Sequence, residues 1–168
     1  MGMKIALIGG TGDMGMGFAV RWAINHEIII GSRKLAKAEE SASQVRQATN
    51  GCCKVWGTDN AEAIKAGDVI VLSVPFEHLA SVTSDLKNSY AHQVVVSPVV
   101  PIGYDGKYFE FAPPIEGSAA LQARAFLPEG MKIVSAFHTV SAAALKDLRK
   151  ELKGDVLICG DDKESKMW

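Results

Sequence analysis

An open α/β sheet, mainly parallel and doubly wound, with helices on both faces, is the fold this 168-residue sequence predicts. Three observations predict it. Short apolar runs alternate with longer segments of helical composition along almost the whole chain. Several runs, such as Asp68-Val-Ile-Val-Leu-Ser-Val74, are almost continuously apolar, as strands buried on both faces of a parallel sheet are. The first run passes straight into Gly10-x-Gly12-x-x-Gly15 and an amphipathic segment, so strand, glycine turn and helix follow without a break.

The elements follow in order. The run 5–8 is short and lacks helical spacing, so it reads as a buried strand. Segment 14–25 reads as the first helix and 26–30 as the second strand. Residues 33–49 have the length and the Ala, Glu, Gln and Lys content of a second helix. A short third strand is expected over 53–56, then a helix over 60–65 that Gly67 ends. The buried strand 68–74 precedes a helix over 77–87 and another buried strand over 93–97.

Residues 98–114 break this rhythm. They hold four of the six prolines together with Gly103, Tyr104, Gly106, Tyr108 and Phe109, and read as a long loop. Loops of that length are usually functional or disordered. A helix over 116–127 that Pro128 stops, a strand over 132–136, a helix over 142–152 and a last strand over 155–159 complete the alternation. From Gly160 to Trp168 the chain supplies an aspartate-capped helix start and little more. No internal repeat, low-complexity tract or second domain interrupts residues 1–168, which read as one Rossmann-like domain.

Composition narrows the function. Hydrophobic residues make up 48% and charged residues 22% of the chain, as in ordinary globular proteins. The formal net charge is −1 and no basic block occurs, so no nucleic-acid partner is expected. No apolar run approaches the roughly 18 residues that span a membrane. The N-terminal run is too short for a signal peptide, and the chain reads as cytoplasmic. Cys52 and Cys53 are neighbours and Cys159 stands alone, without a CxxC or a metal-ligand spacing. Buried or half-buried thiols near strand ends are expected, and no metal site.

The glycine run carries the chemistry. Gly10 is expected to permit the tight turn, Gly12 to let a pyrophosphate approach bare backbone, and Gly15 to let the helix pack close to the strand. The pyrophosphate then meets the unpaired N–H groups and positive dipole end of that helix. Which dinucleotide binds is decided about 20 residues further on, where an acidic residue would accept the ribose 2′-OH of NAD. Here the second strand ends Ile28-Ile-Ile-Gly31-Ser32-Arg33-Lys34, with no carboxylate. A 2′-phosphate would instead meet the Ser32 hydroxyl, the Arg33 guanidinium and Lys37. Each such contact contributes roughly 1.5–3 kcal/mol, so NADP is expected over NAD.

These residues stand with Val74-Pro75-Phe-Glu-His78, Val94-Val-Val-Ser-Pro98-Val-Val-Pro101, Ser135-Ala-Phe-His138-Thr139 and Cys159-Gly-Asp-Asp-Lys-Glu-Ser-Lys166. Taken together, they closely resemble the F420-dependent NADP oxidoreductases (NADPH:coenzyme F420 reductases), over essentially the whole chain. The resemblance implies direct hydride transfer between the nicotinamide of NADP and the deazaflavin of coenzyme F420. It implies that Thr11, Gly12, Asp13 and Met14 cradle the pyrophosphate, and that Ser32, Arg33 and Lys37 hold the 2′-phosphate. Val74, Val100, Val140 and Ala142 would line the dinucleotide and nicotinamide positions. His138, in the His-Thr pair, would stand beside F420 or simply shape the strand end. No catalytic acid–base residue is implied, because the rings need only be oriented and kept dry.

Members of that family normally continue past the Cys-Gly-Asp-Asp block with helices that complete the F420 pocket and contribute to dimer contacts. This chain is expected to lack them, and Ser141 replaces a proline common after the His-Thr pair. Glu77 and the pair Asp161 and Asp162 read as helix-start residues, and His26 and His92 as surface strand starts. Two alternatives stay open: an NADP-binding module without its own second-substrate site, and an NADP-dependent reductase of the same fold with another acceptor. A homodimer is a further expectation.

Overall fold

Six strands pair in parallel in the computed structural model, which describes residues 2–51 and 54–167. They are β1 (Lys4–Ile8), β2 (Glu27–Ser32), β3 (Val55–Asp59), β4 (Val69–Leu72), β5 (Val94–Ser97) and β8 (Lys132–Ser135). A separate antiparallel hairpin is formed by β6 (Ile102–Tyr104) and β7 (Phe109–Phe111). The helices are α1 (Asp13–Trp22), α2 (Leu35–Ala48), α3 (Asn60–Ala66), α4 (Phe76–Asp85), α5 (Ala119–Phe126) and α6 (Ala142–Lys146).

Strand alternation sorts the apolar side chains into two core layers. Ile5, Leu7, Ile28, Ile30, Val71 and Val96 face one side, where Phe18, Ala19, Ala38, Val45 and Leu145 of α1, α2 and α6 meet them. Ala6, Ile8, Ile29, Ile70, Leu72 and Val95 face the other, beneath Ala63, Ile64, Leu79 and Ala123 of α3, α4 and α5. The sheet order is β3-β2-β1-β4-β5-β8. After β3 the chain crosses back over β1, so the loops after β1 and β4 leave in opposite directions and open a crevice between them.

Several boundaries differ from the sequence reading. β3 continues through Gly57 and Thr58 to Asp59, paired with β2 as far as Ser32. Gly57 is needed there because a Cβ would lie 2.2 Å from the Ala38 carbonyl carbon of α2. The expected start of that strand at Cys53, and the expected burial of Cys52 and Cys53, lie outside the described residues. α5 begins at Ala119, capped by the Ser118 side chain, because Gly117 at φ +92° breaks the helical path. The segment 98–114 is not wholly loop. Its hairpin pairs Ile102 with Phe111 and Tyr104 with Phe109, which places all four side chains on one exposed face.

The C-terminal part departs most. α6 ends at Lys146 instead of reaching 152. Arg21 ends it: its guanidinium donates to the carbonyls of Leu145, Ala144 and Asp147 at 3.1, 2.9 and 2.8 Å, and to Lys150 at 3.2 Å. Five residues of helix advance about 7.5 Å, too little to carry the chain back for another parallel strand. The expected strand 155–159 is therefore reduced to an antiparallel bridge between Ser135 and Cys159. Cys159 is exposed, not buried as expected, because its neighbours run along the sheet edge uncovered. The aspartate-capped turn does form, with Asp162 accepting the Ser165 N–H at 2.8 Å.

Candidate functional site

The crevice is built first by the loop after β1. Gly9 takes φ +72°, so the left-handed residue of the turn stands one position before Gly10-x-Gly12-x-x-Gly15. Gly10 is required for space: a Cβ there would lie 2.7 Å from the Leu7 carbonyl oxygen. Its N–H donates to Leu7 and Gly31 carbonyls, both at 3.1 Å, which ties the loop to the end of β2. A Cβ on Gly15 would lie 2.5 Å from Gly10 Cα, so α1 presses directly on the turn. Gly12 is the N-cap of α1 and offers no side-chain cap, leaving the first N–H groups of the helix free. A Cβ on Gly12 would meet nothing closer than the Gly9 carbonyl oxygen at 3.7 Å.

A groove of about 320 Å³ opens over this loop. Gly12, Asp13 and Met14 form one wall, and Val74, Phe76 and Val100 stand among the residues of the others. The Ser73 hydroxyl donates to the Ile8 carbonyl at 2.9 Å and locks the loop after β4 against the end of β1. That serine escaped the sequence reading, although a hydroxyl just beyond an apolar strand was its available signal. Val140 and Ala142 are not among the groove's lining residues. Val140 packs with the α1 core layer, and the Ala142 carbonyl lies against Gly17 of α1. His138 and Thr139 stand exposed on the turn after β8. Ser141, in the place of the proline, caps α6 by accepting the Ala144 N–H.

A second cluster lies at the end of β2. Ser32 is buried, and its hydroxyl oxygen accepts the Lys34 N–H at 3.2 Å, which leaves its own proton to donate. Arg33 and Lys37 are exposed, and neither is ion-paired among the described residues. α2 starts there without a side-chain cap and without an acidic residue in its first turn. A helix start with cations and no anion is electrostatically incomplete until an anion joins it.

One carboxylate stands at the groove. Asp13 accepts a hydrogen bond from Lys146 Nζ at 2.6 Å, and that ammonium holds its carboxyl below the ordinary value of 3.8. Lys146 was missed by the sequence reading, and no local pattern marks it, since 133 residues separate the partners. Glu77 lies in the first turn of α4, with His78 Nε2 3.6 Å from its Oε1. Among the described residues, no group of three or more His, Cys, Asp or Glu is placed to hold a metal ion. A further hollow of about 190 Å³, lined by Met3, Ile5, Trp22, Val71 and Val96, touches none of the predicted site residues.

Comparison with known proteins supplies the kinship of this site. The family described as NADP oxidoreductase, coenzyme F420-dependent, matches residues 4–101, which contain the glycine loop, the β2 end and the Ser97-Pro98 turn. The F420-dependent NADP reductase of Methanocaldococcus jannaschii is 41% identical over 169 aligned residues, covering 98% of this chain and 75% of the relative. The chain belongs to the F420-dependent NADP oxidoreductase family. A crystal structure from Arthrobacter sp. FB24, assigned as an F420-dependent NADP-reductase, superposes with a TM-score of 0.78 at 25% identity. It is covered over 77% of its length by 98% of this chain. The 1-pyrroline-5-carboxylate reductase of Streptococcus pyogenes, with a TM-score of 0.66 and 16% identity, matches 98% of this chain and 52% of its own. At that identity it shares the fold alone.

Proposed function

We propose that this protein transfers a hydride directly between NADP(H) and coenzyme F420. The observation that carries the reading is the pair of uncapped helix starts flanking the crevice in a chain of this family. Behind Gly12, the first N–H groups of α1 have open space in front of them, as a pyrophosphate requires. Beside Ser32, the start of α2 offers Arg33 and Lys37 without a competing carboxylate, as a 2′-phosphate requires. The residues present therefore fit NADP.

In this reading the backbone of Gly10, Thr11, Gly12, Asp13, Met14 and Gly15 holds the pyrophosphate, and Ser32, Arg33 and Lys37 hold the 2′-phosphate. Val74 and Val100 pack against the nicotinamide end and exclude water there. Val140 and Ala142 flank the dinucleotide from the α6 side, and the exposed His138 contacts F420. Bound together, the two coenzymes supply hydride donor and acceptor, so the protein's part is to orient them and keep the gap dry. The whole of 1–168 acts as one NADP-binding unit, and we place it in the cytoplasm.

The same reading includes a homodimer, supported by the exposed hairpin face. Phe109 and Phe111 are 78% and 72% exposed and Tyr104 61%. An aromatic side chain carries about 150–250 Å². The three hairpin aromatics therefore present roughly 300–500 Å² of apolar surface, about half of the roughly 800 Å² each partner gives a standard interface. Sedimentation of wild type against Phe109→Ser/Phe111→Ser tests this, with a wild-type dimer and a variant monomer expected. A wild-type monomer at micromolar concentration would remove the dimer.

The reaction itself is tested by mixing the protein with NADPH and oxidised F420 and following the deazaflavin absorbance, with NADH as control donor. Bleaching with NADPH and little with NADH is the expected result. Tight NADP binding without bleaching would replace the enzyme with a binding module. Reduction of an imine or a flavin instead would identify another acceptor.

A further inference from the structure

Asp13 poses an electrostatic problem in the groove. Its carboxylate sits in the first turn of α1, where it competes with any bound anion for the positive end of the same helix. A pyrophosphate carries two negative charges to that position. Lys146 Nζ lies 2.6 Å from Asp13 Oδ1. An ion pair this exposed adds little to folding stability. Its consequence lies in the groove's potential.

The structure holds Lys146 in place from beneath. Leu145 is buried against α1, and a Cβ on Gly17 would lie 2.9 Å from Leu145 Cβ, so the two helices touch. Arg21 clasps the neighbouring carbonyls of Ala144, Leu145 and Asp147. Ser141 caps the start of the same helix. α6 is thereby fixed with its last-turn lysine aimed at the first turn of α1.

We infer that Lys146 is a positioning residue for the dinucleotide: it neutralises Asp13 and so makes an acid-bearing glycine loop compatible with a pyrophosphate. This inference rests on the NADP reading given above. Without the ammonium, an unpaired carboxylate faces the pyrophosphate across solvent-screened space, and NADP binding weakens about three- to tenfold at low salt. Removing the carboxylate as well restores it.

The test is a titration of NADP⁺ into wild type, Lys146→Gln, Lys146→Arg, Asp13→Asn and the Asp13→Asn/Lys146→Gln double variant, at low and at high salt. Lys146→Gln is expected to bind about three- to tenfold more weakly at low salt, with the gap closing at high salt. Lys146→Arg keeps wild-type affinity, Asp13→Asn binds at least as tightly as wild type, and the double variant matches Asp13→Asn. The proposal is overturned if Lys146→Gln binds like wild type, or if its loss persists in the Asp13→Asn background. It is also overturned if Lys146→Arg loses as much as Lys146→Gln, which would mark a purely steric role. Wild-type protein that binds no NADP overturns the underlying reading together with this one.

Discussion

Two alanine substitutions in the glycine loop separate its structural work from its binding work. On Gly15, the added Cβ would lie 2.5, 2.7 and 2.8 Å from Gly10 Cα, O and C. All three are backbone atoms of a residue whose N–H is held by the Leu7 and Gly31 carbonyls. About 1 Å of displacement is needed to reach an ordinary contact, and because the atoms met are backbone the cost falls in the upper part of the overpacking range, about 2–3 kcal/mol. Replacing glycine by alanine inside a helix returns about 1 kcal/mol. Gly15→Ala is thus expected to lose about 1–2 kcal/mol of stability, a fall in Tm of about 2–8 °C for a chain of this size. NADP binding falls with it, because the turn is displaced. On Gly12 the nearest atom to the added Cβ is 3.7 Å away, so nothing is displaced and Gly12→Ala loses only what alanine costs at an N-cap, about 0.5–1 kcal/mol. The methyl group instead occupies the approach to the helix start, and NADP affinity drops tenfold or more, about 1.4 kcal/mol. Thermal unfolding and an NADP⁺ titration on the three proteins decide the matter. Wild-type affinity in Gly12→Ala, or wild-type stability in Gly15→Ala, would refute the reasoning.

Two further outcomes follow from the same geometry. Arg33→Ala removes a planar donor fork beside Ser32, and NADP should bind about ten- to a hundredfold more weakly while NAD changes less than about twofold; equal losses would discard the 2′-phosphate assignment. At the other end of the chain, the Asp162 carboxyl lies below its ordinary value of 3.8, first through the Ser165 hydroxyl and N–H and then through Lys132. A depressed carboxyl stabilises the fold above its unfolded value and loses that contribution as pH falls through its folded one. The docking of 159–166 on β8 is therefore expected to persist above about pH 4 and to loosen below it, with Asp162→Asn loosening it at neutral pH. The NMR shift of the Cys159 amide, which donates to the Ser135 carbonyl at 3.0 Å, reports this; an amide indifferent to both acid and Asp162→Asn would contradict it.

What the sequence discloses of the fold depends on whether the deciding interaction is local. β1, β2, β4 and β5 are legible because burial on both faces demands nearly unbroken apolar runs. Gly57 looks like a strand breaker, yet β3 runs through it to Asp59. The glycine answers the close approach of α2, a contact between separate elements that composition does not reveal. The same holds for residues 142–152, which have helical composition throughout. Their helix stops at Lys146 because a guanidinium on α1, more than 120 residues earlier, takes its carbonyls. Once that crossover is shortened, the apolar run after it has no parallel partner to reach. The hairpin at 102–111 was hidden by its prolines, which mark loops in general but here only bracket two three-residue strands.

The candidate site divides along the same line. A phosphate cradle is a local object: a turn, a helix start and the residues that follow one strand, all within about 30 positions of the first glycine. Gly12, Ser32 and Arg33 can therefore be proposed from spacing and residue type, while the left-handed residue, Gly9, stands just before that pattern. The second half of the crevice is assembled from the ends of β4 and β5, and its members share no period. Val74 and Val100 meet Gly12 in one groove, whereas Val140 packs with the α1 core layer and Ala142 lies against α1. The charge at the cradle is likewise decided across the fold. Read locally, Asp13 is a helix-start acid that opposes an anion; in the fold its charge is offset by Lys146. The net charge at the start of α1 is thus set by the packing of α6 on α1, and neither segment alone predicts it.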